Sequence, residues 1–101
     1  MTVGSTTVTT LVAGRTNDAI ADVAKYKAIL ERHGAQNFQV KLMMTSTPLR
    51  LMTTYEADDQ AALGKIFDSI LGDPELQELM GASYGPGGSC SDYVTETWLG
   101  L

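Results

Sequence analysis

The chain has 101 residues, 44% of them hydrophobic and 19% charged, and its formal net charge at pH 7 is −5. This composition is typical of one globular domain, here residues 1–101. It excludes two classes of partner. The basic residues are too few and too scattered for a nucleic-acid interface, and no apolar run approaches the roughly 20 residues of a membrane span. The N-terminus lacks the pattern of a signal peptide, and the lone cysteine, Cys90, fits a reducing compartment, so we predict a cytoplasmic protein.

The first elements are a strand and a helix. Residues 6–13 (TTVTTLVA) are mostly β-branched, which favours a strand, and hydroxyls on it such as Thr7 and Thr9 could line a cavity. The helix is predicted to begin with Thr16 or Asn17 as N-cap and to end at Gly34. Its apolar stripe recurs at helical spacing, and Asp22 falls on the solvated side. The predicted stripe comprises Ile20, Val23, Tyr26 or Lys27, and Leu30.

Residues 38–56 (FQVKLMMTSTPLRLMTTYE) predict two strands joined by a short turn. In the register that keeps the apolar residues together, Leu42 lies opposite Leu51 and Val40 lies opposite Thr53. The other face of this hairpin is mixed, because it combines methionines with polar and charged side chains. It carries Gln39, Lys41, Met43, Arg50, Met52, Thr54 and Glu56.

The second half of the chain predicts two more helices and a last strand. The second helix is capped by Asp58 or Asp59 and ends at Gly72. A short third helix has Asp73 as N-cap, with Pro74 at the first helical position, and ends before Gly81. The loop over residues 81–91 then leads to a strand that starts at Asp92.

The resulting order is strand, helix, strand, strand, helix with an extra turn, strand. This order predicts an α+β fold with a four-stranded antiparallel sheet and both helices on one face. No further element is left to cover the other face. That face could be solvated, could meet the same face of a second subunit, or could line a cavity.

The segment RHGAQNFQVKLMM, together with LRLMTTYEADDQAALGKIFDSILGDPELQEL, resembles the ferredoxin-like dimeric α+β barrel superfamily. The small antibiotic-biosynthesis monooxygenases and muconolactone isomerases are members of it. The resemblance covers about residues 6–98 and implies a homodimer in which two sheets meet face to face to form a barrel, with a pocket in each subunit. It implies a protein that handles small molecules, but it does not select one activity.

Several side chains are candidates for a site under this interpretation. Lys41 and Arg50 could bind an acidic or enolate oxygen, or could form ion pairs at a subunit interface. Glu56 is a weak candidate for a general base, if burial raises its pKa. Tyr84 precedes the glycine-rich loop and could cover a pocket. The predicted ligand-binding residues are Lys41, Met43, Arg50, Met52, Thr54 and Tyr84.

No metal or other cofactor is predicted. The single histidine, His33, suits the C-terminal end of the first helix, where its cationic form complements the helix dipole. One histidine and one cysteine are too few ligands for a transition-metal site. Two functions stay open: a cofactor-free oxygenase, isomerase or cyclase acting on an aromatic or polyketide-like substrate, and a non-catalytic metabolite-binding dimer. The predicted partners are a second copy of the chain and a small organic ligand.

Overall fold

The computed structural model describes residues 2–45 and 47–101. Its strands form one antiparallel sheet in the order β2-β3-β1-β4, which confirms the predicted fold class. No helix in these two ranges is both long enough and apolar enough to cross a membrane. The elements in chain order are β1 (Val3–Leu11), α1 (Thr16–Arg32), β2 (Gln36–Met43), β3 (Arg50–Ala57), α2 (Gln60–Leu71), α3 (Pro74–Tyr84) and β4 (Cys90–Leu99).

The β2–β3 hairpin has the predicted register. Leu42 pairs with Leu51 and Val40 pairs with Thr53. A bulge between Gln36 and Gln39 interrupts the ladder. Phe38 lies within this bulge, yet its ring stacks on that of Tyr55 at a centroid distance of 6.2 Å, so the aromatic contact keeps the hairpin on the core.

The helices cover one face of the sheet and pack on it through two apolar clusters. The larger cluster joins α1, α2 and α3 to Val3 and Tyr55, and the smaller one surrounds Leu11 and Leu51 and contains the buried thiol of Cys90. The predicted stripe of α1 is correct at Val23 and Leu30. Ile20 is 46% exposed, however, because α1 turns Ala19 instead toward the sheet.

Two of the three predicted helix starts are correct. Asp59 caps α2 by accepting from the N–H of Ala62 at 2.7 Å, and Asp73 caps α3 by accepting from the N–H of Glu75 at 2.9 Å. The predicted start of α1 is wrong by one position. Thr16 is the first helical residue, and Arg15 occupies the N-cap without a side-chain cap.

The predicted end of α3 at Gly81 is also wrong, since the helix continues to Tyr84. The N–H of Gly85 donates to the carbonyl of Gly81 at 3.0 Å, and the buried Ser83 hydroxyl donates to Asp22 on α1 at 3.0 Å. These contacts keep the last turn helical despite the glycine. The predicted loop over residues 81–91 is therefore shorter, and β4 already begins at Cys90.

A charged cluster joins the end of α1 to the start of α3. The Asp73 carboxylate lies 2.6 Å from His33 Nε2 and accepts from Arg32 Nη2 at 2.9 Å. Hydrogen bonds from His33 and then from Arg32 hold the pKa of Asp73 far below its ordinary value. His33 follows the last residue of α1, as predicted from the helix dipole, and the structure adds this carboxylate partner.

We expect Asp73→Asn to lower the free energy of unfolding at pH 7, because asparagine still caps the helix but removes the charge that pairs with His33 and Arg32. A carboxyl whose pKa is lowered by folding contributes stability above its unfolded-state pKa and loses that contribution as the pH falls through and below it. Urea unfolding at pH 7, 5 and about 3 should therefore show a difference from wild type that is smaller at pH 3 than at pH 5 or 7.

The matched control for this comparison is Glu75→Gln, which removes an exposed partner of the same arginine. It should change stability far less than Asp73→Asn at neutral pH. A difference between Asp73→Asn and wild type that is the same at every pH would contradict the charge pairing.

Candidate functional site

The face opposite the helices, here called the bare face, is not covered by any element in the part of the chain that the structure describes. It carries alternate residues of all four strands. Five of the six predicted ligand-binding residues and the candidate base lie on it. These are Lys41, Met43, Arg50, Met52, Thr54 and Glu56.

The middle of the bare face is apolar and its two edges differ in charge. Val8 of the inner strand β1 pairs with Met52 on one side and with Val94 on the other. Beyond Met52, the β2 edge carries Lys41. The β4 edge carries Asp92 and Glu96 on the same face. This face is therefore apolar at its centre, basic toward β2 and acidic along β4.

Trp98 also lies on the bare face, across strand β1. Its Nε1 donates to Thr6 Oγ1 at 3.1 Å, and that hydroxyl is 3.2 Å from Thr54 Oγ1. The indole occupies the space above Gly4, where an added Cβ would lie 2.6 Å from both Trp98 Cε2 and the carbonyl oxygen of Tyr55. Glycine is thus required at position 4, and Thr54 is already part of a hydrogen-bonded chain.

Glu56 is held in place at one end of the bare face. Its Oε2 accepts from Asn37 Nδ2 at 2.7 Å. Asn37 has the left-handed backbone conformation, with φ of 50°, within the β2 bulge. Asparagine tolerates this conformation better than most residues, so the bulge and the orientation of Glu56 are linked. The role of Glu56 as a general base stays a prediction.

Two of the cavities of the single subunit lie on the helix-covered side, and others of about 290–420 Å³ lie elsewhere on the surface, one of them beside Thr10 and Arg50 of the bare face. Two adjoining cavities of about 70 and 350 Å³ share five lining residues between the sheet, α1 and α3. They open at the edge strand β4, where Tyr93 is 50% exposed. Of the predicted ligand residues, Tyr84 lines the smaller cavity, and the other five lie across the sheet. The shared residues are Thr7, Tyr26, Met80, Tyr93 and Thr95.

The polar surface of these cavities consists mainly of hydroxyl groups. Thr7 Oγ1 is 2.9 Å from Thr95 Oγ1, and Thr9 Oγ1 is 2.9 Å from the hydroxyl of Tyr84. Burial raises the pKa of Tyr84 to about 12, and burial likewise raises the pKa of Tyr26 well above its ordinary value. Both phenols are therefore protonated at neutral pH, so they can donate hydrogen bonds but do not act as resting bases.

Among the described residues that line the two cavities, Asp22 is the one carboxylate. Its Oδ2 accepts from Ser83 Oγ at 3.0 Å and from Ser89 Oγ at 2.8 Å, and both serines are buried. The prediction that Asp22 is solvated is only partly correct: its side chain is half-buried, because Ser83 near the end of α3 and Ser89 just before β4 contact it. Within residues 2–45 and 47–101, no three His, Cys, Asp or Glu side chains are grouped as a metal site.

Sequence reasoning found part of this cavity. The sequence suggests Thr7 and Thr9 as sources of hydroxyls for a cavity and Tyr84 as a cover for a pocket, and all three line the smaller cavity. The binding role of Tyr84 stays a prediction. Asp22 and Tyr26 were missed as a pair, although their spacing of four residues puts them on one face of a helix. The positions of Tyr93 and Thr95 depend on the register of β4 against β1, for which the alternation in β4 gave no signal.

Comparison with solved structures places this architecture among known folds. A NIPSNAP-like domain protein from Burkholderia xenovorans is 10% identical, with a TM-score of 0.79, and the match covers 99% of this chain and 85% of that one. A DABB family protein with a ferredoxin-like fold from Mesorhizobium loti is 18% identical, with a TM-score of 0.71 and coverage of 99% and 97%. A proposed antibiotic biosynthesis monooxygenase from Chloroflexus aurantiacus is 14% identical, with a TM-score of 0.63 and coverage of 100% and 96%.

These comparisons confirm the ferredoxin-like α+β fold. No protein-family model matches the sequence, and no curated protein matches it. At such low identities the neighbours share an architecture with this chain, so the function has to be argued from its own side chains.

Proposed function

We propose that this protein binds a small organic molecule with an apolar or aromatic body in the cavity between the sheet and its helices. The observation that carries this proposal is the cavity of about 350 Å³, which adjoins a second one and opens at the β4 edge. Pockets for small ligands have volumes of about 300–1,000 Å³, with mostly apolar walls and a few polar groups that fix orientation.

The walls support an apolar body for the ligand. The larger cavity is lined on the helix side by aliphatic and aromatic side chains together with Gln77, and on the sheet side by tyrosine, threonine and serine. Within the part of the chain that the structure describes, no lysine, arginine or histidine lines either cavity. Hydroxyl groups can therefore orient a ligand while its body is buried against Phe67, Ile70, Leu76 and Met80.

We expect Thr95→Phe to weaken binding of a neutral aromatic probe, 2-naphthol, by at least about ten-fold, because the added ring would fill the space shared by both cavities. Isothermal titration calorimetry measures the effect. The control is Ile20→Phe, which adds a ring at an exposed position of α1 that lines neither cavity. Equal binding by wild type and Thr95→Phe would place the ligand elsewhere.

We further propose that the protein is a homodimer whose bare faces meet. The apolar row of Met52, Val8 and Val94 supports this proposal, as does the difference in charge between the two edges. A two-fold axis parallel to the strands would bring the β2 edge of one copy, with Lys41, over the acidic β4 edge of the other. Such an arrangement is self-complementary, as a two-fold interface requires.

We expect Val8→Asp to convert the dimer to a monomer, because it would place a charge at the centre of both bare faces. Sedimentation equilibrium at micromolar concentrations measures the state of association. Ile20→Asp is the control, since Ile20 is 46% exposed on α1 and lies away from that face. A wild-type protein that is monomeric under these conditions would contradict the proposal.

We also propose a cytoplasmic location, on the basis of the lone cysteine. Cys90 is a free, buried thiol, and such thiols persist in reducing compartments.

A cofactor-free tailoring enzyme for aromatic or polyketide-like substrates is the second candidate function. Tyr84 supports it, because a protonated phenol on a cavity wall can donate to an oxyanion that forms during reaction. Glu56 is the alternative catalytic group, and it lies across the sheet from that cavity. The two residues therefore imply two different reaction sites.

We expect any turnover of anthrone- or quinol-type substrates with oxygen to fall in Tyr84→Phe and to persist in Glu56→Gln, if the reaction takes place in the helix-covered cavity. The loss in Tyr84→Phe should be on the order of ten-fold or more, since one oxyanion donor is removed. Product formation under steady-state conditions measures both. The reverse pattern would move the reaction to the bare face, and saturable binding without turnover would favour the metabolite-binding function.

A further inference from the structure

The charge of the ligand can be inferred from Asp22, and this inference rests on the proposed binding cavity. Asp22 is the only carboxylate among the described residues that line the two cavities, and no basic side chain lines either of them. Its hydrogen-bond donors, Ser83 and Ser89, are neutral hydroxyls. The carboxylate therefore gives the cavity an uncompensated negative charge, which disfavours anionic ligands and favours cationic ones.

The surroundings of Asp22 are aromatic. Tyr26 follows it by one helical turn on α1, and Tyr84 follows Ser83 on α3. The ring of Tyr93 lies 5.0 Å from that of Tyr84, and all three tyrosines line the same cavity as Asp22. Aromatic faces attract ammonium groups through their quadrupoles, most strongly where water is excluded. A carboxylate among several aromatic rings is a combination that suits an organic cation.

The two serine contacts alone do not account for a carboxylate at position 22. They connect α1 to the end of α3 and to the residue before β4. The amide oxygen of an asparagine could accept the same two hydrogen bonds without the desolvation cost of a charge. The carboxylate, unlike the amide, carries a charge that two neutral donors do not balance, and a bound cation would balance it.

We propose that the cavity is a site for an organic ammonium ion, in which Asp22 pairs with the cationic head and the tyrosines and apolar walls bury an aromatic or alkyl body. The same arrangement discriminates against carboxylates and phosphates of similar shape.

The test uses three probes that share one ring system and differ in charge: 2-naphthylmethylammonium, 2-naphthylmethanol and 2-naphthoate. Calorimetric titration of the full chain at low and at moderate salt gives their affinities. We expect the ammonium probe to bind at least about ten-fold more tightly than the carboxylate probe, with the alcohol between them. Added salt should weaken binding of the ammonium probe the most.

Asp22→Asn isolates the charge, because it keeps the shape and the acceptor for both serines. It should reduce the affinity for the ammonium probe by about ten-fold and leave that for the alcohol nearly unchanged. Asp18→Asn is the matched control, since Asp18 lies on the same helix, 61% exposed, and pairs with Arg15 outside the cavity. It should leave all three affinities as in wild type.

The outcomes separate this inference from the binding function itself. Equal affinities for the three naphthyl probes would show that the inference about charge is wrong and that the cavity still binds ligands. The same conclusion follows if Asp22→Asn changes thermal stability without changing the order of affinities, because Asp22 is then only a structural link. Tighter binding of the carboxylate would also overturn the inference. If none of the three probes binds, the proposed binding function of the cavity is wrong, and this inference is wrong with it.

Discussion

The alternation of side chains along β1 and its two neighbouring strands determines the two surfaces of this protein. Odd-numbered residues of β1 face the helices, and even-numbered ones face away from them. On the helix side, the alternation presents Val3 and Leu11 at the ends of the strand and hydroxyl-bearing residues between them. The core consequently divides into two clusters, one at each end, and the cavity lies between the clusters.

A hydroxyl-rich stripe under the helices lowers stability, since buried hydroxyls must find hydrogen-bond partners. The structure satisfies some of them in pairs, with Thr7 bonded to Thr95 and Thr9 to Tyr84. Ser5 Oγ is also buried, and a polar neighbour of it among the described residues is the hydroxyl of Tyr55, which it does not meet at full hydrogen-bond geometry. Valine or isoleucine at these positions would fill the same strand with less cost. Residues that pack a core less well than others would are expected at functional sites, and the hydroxyl-bearing residues of this stripe are of that kind.

Much of the fold could be predicted from the sequence because its signals are local. Asp59 and Asp73 mark helix starts, Gly34 takes the left-handed conformation after α1, and the alternation of apolar residues gives the hairpin register. The end of α3 could not be predicted in this way. Its last turn depends on contacts of Ser83 with α1, which have no local signature and override the preference of Gly81 to end a helix.

The site was harder to predict for a similar reason. The mixed composition of the β2–β3 hairpin indicates a site on the bare face, where methionine and charged side chains lie together. The smaller cavity instead draws its residues from five elements, α1, β1, β3, α3 and β4, and its assembly depends on strand order. Asp22 shows the difficulty, because its helical position alone predicts solvation. Only the approach of Ser83 and Ser89, far along the chain, makes it part of a lining.

The two surfaces can therefore serve separate purposes with little interference. Residues that face the cavity and residues on the bare face alternate along the same strands, so Thr95 and Val94 are neighbours in sequence but lie on opposite sides of the sheet. A change on one side is transmitted to the other mainly through the backbone, and effects at sites without shared contacts usually add. Trp98 is the exception to this independence of the two faces. Its indole fills the space over Gly4 and donates a hydrogen bond to Thr6. The same stretch of β1 carries Ser5 and Thr7 on the cavity side. If binding and association are coupled, the coupling should depend on this end of β1 and on the indole packed against it.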